Sequence, residues 1–232
     1  MMHFAATGAA FIAVINAAVA AFTNYMVSQE KDGGKVLFRY DATQVCVVTA
    51  DLGETTEKCN TYVDAKKQTE DNGGKWEENF ASKVELAGVM LLVAFIFAVI
   101  TFLAVAAATG AKLAPALDAA QRKLIFFASA GLGAVGAIMS LVGWAMLVEI
   151  YTNPENSGCK DGDKCSMAER HDELMKDGDE KATGLHLAEG FGTAIVAFVF
   201  LLATAGLSGV AGTQEEEDGK EASAPAEVSA TV

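Results

Sequence analysis

Four stretches of this chain are long enough to cross a bilayer and almost free of charge, and they restrict the fold more than any motif does. They are "FAATGAAFIAVINAAVAAFTNYMV" (Phe4 to Val27), "LAGVMLLVAFIFAVITFLAVAAATG" (Leu86 to Gly110), "LIFFASAGLGAVGAIMSLVGWAMLV" (Leu124 to Val148) and a run from about Leu185 to Val210. A hydrocarbon core about 30 Å thick takes roughly 20 apolar residues per helix. The first two blocks have no Asp, Glu, Lys, Arg or His, and the fourth has His186 and Glu189 only near its start. Charge is crowded between the blocks, so a chain that is 52% hydrophobic still carries a net charge of −13. The first block has no Lys or Arg ahead of it and exceeds the 7–15 apolar residues typical of a cleaved signal, so it reads as a span.

The expected layout follows. Spans cover 4–27, 85–110, 124–150 and 185–210; loops cover 28–84, 111–123 and 151–184; an acidic tail covers 211–232. The short middle loop holds Lys112, Arg122 and Lys123 against Asp118, whereas the two long loops are net acidic. Basic residues near span ends tend to stay cytoplasmic. The short loop and both termini are therefore expected inside, and the long loops outside, with the plasma membrane as the expected location.

The cysteines agree with this orientation. Cys46 and Cys59 lie in the first long loop, Cys159 and Cys165 in the second. Disulfides persist in oxidising compartments. Four cysteines allow three connectivities, and one bridge within each loop is expected because each loop can then fold on its own. Zinc is not expected: the spacings, Cys-x12-Cys and Cys-x5-Cys, lack the short knuckles of structural zinc sites.

Within the first long loop, "KVLFRYDATQVCVVTAD" (35–51) reads as strand–turn–strand. A small sheet of this kind has too little core to stand alone, and a bridge at Cys46 would pin it. The following "DAKKQTEDNGGKWEENF" reads as a charged helix or loop broken at Gly73-Gly74, with Trp76 and Phe80 placed to meet the membrane interface or to pack under the loop. In the second loop, Asp-Gly-Asp at 161–163 and 177–179 hints at calcium. The ligand pattern of an EF-hand fails, because Cys165 and Ser166 occupy its fifth and sixth positions.

Inside the spans, small residues recur at helical spacing: Ser129, Gly133 and Ala137, then Gly136 and Ser140, then Gly190 and Ala194. Such spacing lets helices approach closely, within one bundle or between copies. Asn16 sits mid-span and is expected to hydrogen-bond a neighbouring helix. Glu85, Glu149, His186 and Glu189 lie near the outer span ends and form a possible polar site. The three histidines are not spaced to hold a haem across the membrane, and no nucleophile–base set or phosphate loop occurs in the spans. The tail after 212 is acidic enough to predict disorder. Its terminal Val232 would suit carboxylate capture by strand addition, although Ala230 stands where Ser or Thr is usual.

Four spans, a larger first outer loop bearing strands and the Cys46/Cys59 pair, and a small inner loop resemble the claudin, peripheral myelin protein and amastin group of tetraspan proteins. The resemblance covers residues 4–210 as architecture and the cysteine pair as motif. It implies a non-enzymatic protein acting in adhesion, barrier formation or membrane organisation through its first outer loop. The fold class expected is an all-α membrane protein, a four-helix bundle with a disulfide-stapled, β-containing first extracellular loop. No cofactor, metal or nucleic acid is expected; the partners are the lipid bilayer and other membrane proteins or a second copy. Two other readings stand beside it. One is an accessory subunit of a larger membrane complex, docked through the Gly-rich third span. The other is a pore, although the polar faces of the spans are thin for lining one.

Overall fold

The computed structural model describes residues 2–23, 26–30, 36–40, 44–51, 54–71, 78–113, 117–152 and 183–223. In chain order these form α1 (Met2–Phe22), β1 (Met26–Glu30), β2 (Val36–Tyr40), β3 (Gln44–Asp51), β4 (Glu54–Thr61), α2 (Tyr62–Asp71), α3 (Glu78–Leu113), α4 (Ala119–Thr152), β5 (Thr183–Leu187) and α5 (Glu189–Ser223). Four helices, α1, α3, α4 and α5, are long and apolar enough to span a membrane. At 1.5 Å per residue the 36 residues of α3 reach about 54 Å, well beyond a hydrocarbon core of about 30 Å.

Each long helix packs on the two that adjoin it in chain order, and the last, α5, closes back on α1. The result is a square, antiparallel bundle. Much of its interior is built from small side chains. Ala6, Ala10, Ala13, Ala17 and Ala20 of α1 are each at most 1% exposed, while Phe4, Phe11 and Phe22 on its other face are 60%, 52% and 66% exposed. Lipid is as apolar as a leucine side chain, so nothing drives bulky residues inward. Close van der Waals approach does the work instead, and small residues permit it. In α4, Ser129, Gly133, Gly136, Ala137, Ser140 and Gly143 form the buried face. A Cβ at Gly143 would lie 2.8 Å from the Leu91 side chain and 3.2 Å from the Ala87 carbonyl. Gly143→Val is therefore expected to destabilise the bundle by about 1–3 kcal/mol. Gly131→Val, which meets nothing within 4 Å, serves as the control in a denaturation series in detergent.

The five strands form one antiparallel sheet in the order β4-β3-β2-β1-β5. The strand pair expected at 35–51 is present as β2 and β3. The sheet also extends beyond the first long loop: β5 comes from the second and pairs with β1 along its length, Met26 opposite Leu187 and Glu30 opposite Thr183. The reason is geometric. β1 leaves α1 and β5 enters α5, and these two helices are neighbours, so their extensions meet.

Helix ends also move relative to the expected boundaries. The first helix stops at Phe22, and Met26 and Val27 belong to a strand. Residues 185–187 likewise lie in β5, not in the fourth span. At its other end α5 runs on to Ser223, past the point where composition predicted disorder from 211. Asp118 and Gln121 cap α4 reciprocally: the Gln121 amide donates to Asp118 Oδ1 at 2.7 Å and the Asp118 amide to Gln121 Oε1 at 3.2 Å.

Candidate functional site

Two places in the fold gather polar chemistry, one at each end of the bundle. At the sheet end, Cys46 and Cys59 face each other directly across β3 and β4, with Cα atoms 4.0 Å apart, and are joined as a disulfide. Cys46 is 5% exposed and Val45 8%, and as neighbours on a strand they face opposite sides, so β3 is covered on both faces here. Val45 shares a cluster with Tyr62 at the start of α2, Val84 and Leu91 of α3, and Leu147 and Ile150 of α4. Through that cluster the sheet sits on the bundle. Thr61 caps α2: its hydroxyl accepts the Asp64 amide at 3.2 Å and donates to the Asp64 carboxylate at 2.7 Å. Glu57 lies beside the bridge, its carboxylate within 4.8 Å of both sulfurs. Bridged sulfurs offer no thiolate, so this trio is no metal site.

The polar residues expected near the outer span ends are not drawn into one buried site. Glu149 accepts from Lys83 Nζ at 2.7 Å, an exposed pair joining α4 to α3. Glu85 and Glu189 are exposed, the latter in the first turn of α5, where its charge favours the helix dipole. His186 is placed on β5 opposite Val27. Cys159 and Cys165 lie outside the described residues, as do Trp76 and both Asp-Gly-Asp motifs.

The small-residue positions all face the interior of one bundle. Gly133 abuts the Leu201 carbonyl and Ala205, and Gly136 abuts Phe97 and Leu201. Ala137 and Ala194 are buried, as is Gly190. The buried Ser140 hydroxyl donates to the Ala194 carbonyl at 2.9 Å, a hydrogen bond from α4 to α5. Ser140→Ala is expected to cost about 0.6 kcal/mol, the average for such bonds between membrane helices, in the same denaturation series. Asn16 departs from expectation. Its Nδ2 donates to the Ile12 carbonyl of its own helix at 2.9 Å and not to a neighbour.

At the opposite end lies a cluster that motif reading of the sequence passed over. Glu215 of α5 has a side chain with no exposure, and Arg122 of α4 reaches it through both Nε and Nη2 at 2.9 Å. Arg122 Nη1 donates to the Leu117 carbonyl at 2.8 Å. His3 of α1 places Nε2 at 3.5 Å from the other Glu215 oxygen and rests its ring 5.0 Å from that of Phe126. The Thr7 hydroxyl donates to the His3 carbonyl at 2.9 Å and sits 3.1 Å from the Thr109 hydroxyl of α3. All four long helices are thus tied at this end. The signal was faint: Glu215 stands seven residues after Ser208, on the same helical face, but only if the helix continues through an acidic run.

No protein-family model matches the chain, and no curated protein matches it in sequence.

Proposed function

From a four-span integral membrane protein with a stapled sheet on one end of its bundle, we propose a non-enzymatic tetraspan of claudin-like build that makes protein–protein contacts through that sheet. The observation that carries the reading is the sheet itself: five strands drawn from both long loops, bridged at Cys46–Cys59 and seated on α3 and α4. A rigid surface held outside the spans is what contact with another protein requires. The orientation proposed puts the sheet outside and the Arg122 end in the cytoplasm, on the charge bias of the short loop, with the plasma membrane as the location.

The packing of the spans favours this reading over the other two. The face expected to dock a partner helix, from Ser129 to Ser140, is used within the bundle. A pore through the centre is opposed by an apolar layer of Ala13, Ala17, Ala98, Ala137, Ala197 and Leu201, each at most 1% exposed. The experiment is expression of the full chain on non-adherent cells, together with purification in mild detergent. The proposal expects cells to cluster, and Cys46→Ser/Cys59→Ser to abolish clustering while the chain still reaches the surface. Recovery of unrelated subunits at stoichiometric amounts, with no clustering, would replace adhesion by the accessory role.

A further inference from the structure

Hydroxyl side chains in apolar helices usually return to the carbonyl three or four residues back in their own helix. Most threonines in these spans follow that habit. Thr7 bonds the His3 carbonyl at 2.9 Å, Thr23 the Val19 carbonyl at 2.6 Å, Thr193 the Glu189 carbonyl at 3.1 Å and Thr204 the Phe200 carbonyl at 2.7 Å. Ser140 and Thr109 instead bond a neighbouring helix, and three further hydroxyls do neither. Thr101 Oγ1, Ser129 Oγ and Ser208 Oγ are buried and have no hydrogen-bond partner among the described residues. Their residues are wholly covered, at 0% exposure each. A buried hydroxyl left without a partner costs about 1–3 kcal/mol, so three of them call for a reason.

The three come from three helices and occupy adjoining levels of the bundle. Along the α4–α5 seam, Gly133 meets Ala205 and Gly212 meets Phe127, which sets Ser129 and Ser208 at one level between those contacts. Along the α3–α4 seam, Gly136 meets Phe97, which puts Thr101 about one turn nearer the sheet than Ser129. The α1 residues buried at these levels are Ala9, Ala10 and Ala13, and α4 adds Gly133. The facing helices thus present small side chains at these levels.

We propose that Thr101, Ser129 and Ser208 bind water inside this half of the bundle. A buried water usually makes about three hydrogen bonds to polar groups that lack other partners, and these three hydroxyls, at adjoining levels of three helices, are groups of that kind. The site is closed at both ends. Toward the sheet stands the apolar layer around Ala137, Ala197 and Leu201. Toward the other end stand Phe126 and the His3–Glu215–Arg122 cluster. Water held there exchanges slowly with bulk, and it stabilises the bundle without forming a path across it.

The test is nuclear Overhauser transfer from water to methyl groups in the full chain, reconstituted in lipid nanodiscs with labelled Ala, Val, Leu and Thr methyls. The expected result is transfer to Thr101 and Val105, none to Ala197 or Leu201, and loss of the Val105 signal in Thr101→Val/Ser129→Ala/Ser208→Ala. Absence of transfer at both Thr101 and Val105 in the unmodified chain overturns the proposal. So does a Val105 signal that persists at full strength in the triple variant. If that variant does not fold, the unmodified chain decides alone, since transfer at Thr101 without transfer at Leu201 requires water on one side of the apolar layer only.

Discussion

Glu215→Ala is expected to lower stability by about 3–5 kcal/mol, the range found when one partner of a buried ion pair is removed and the other stays buried. The Glu215 side chain has no exposure, and that of Arg122 is 15% exposed, so the guanidinium left behind has little water to turn to. The loss also reaches α1, because His3 faces the same carboxylate at 3.5 Å. Unfolding in mixed detergent micelles gives the measurement. Arg122→Leu/Glu215→Leu is expected to lie closer to the unmodified protein than Glu215→Ala does, because no charge is then stranded. Equal losses for the single and the double variant would show that the guanidinium left behind costs nothing. An effect on Glu215→Ala below about 1 kcal/mol would place this carboxylate in the class of exposed pairs such as Lys83–Glu149.

Cys46→Ser/Cys59→Ser is expected to remove about 3 kcal/mol, the value for closing a loop of about this length. The bridge spans a sequence separation of 13 and joins opposed residues of β3 and β4. Its effect should be local. β4 is at the edge of the sheet, held on one side by β3 alone. Amide exchange is therefore expected to rise across 44–61 and to stay unchanged in the middle of α3, around Ala94 and Ala98. Uniform loss of protection through the helices would instead make the sheet part of one cooperative unit with the bundle.

These two sites differ in how far the sequence disclosed them. Cys46 and Cys59 stand out in any reading, because cysteine chemistry is rare and local strand signals at 35–51 surround one of them. The ion cluster draws on residues 3, 122 and 215, and each had a sufficient bland explanation. Arg122 served the charge bias of the short loop, and Glu215 served an acidic tail. Only the continued helix to Ser223 and the closure of α5 on α1 bring them together. The small residues of α4 were legible as a packing face from their spacing. Whether they met the same chain or another was not, since 3.6-residue periodicity marks a face without marking its occupant.

What the sequence determined by itself is the solvent of each segment. Four apolar runs, each long enough to cross a bilayer, place four helices in lipid, and charge places the segments between them in water, because transfer between these media costs far more than any local preference. The tertiary structure decided adjacency. It joined β5 to β1 because α5 lies beside α1, turned the alanines of α1 inward and its phenylalanines outward, and buried a glutamate that composition alone assigned to water. Those outcomes rest on van der Waals fit and on pairing between residues more than 100 positions apart, which no local pattern encodes.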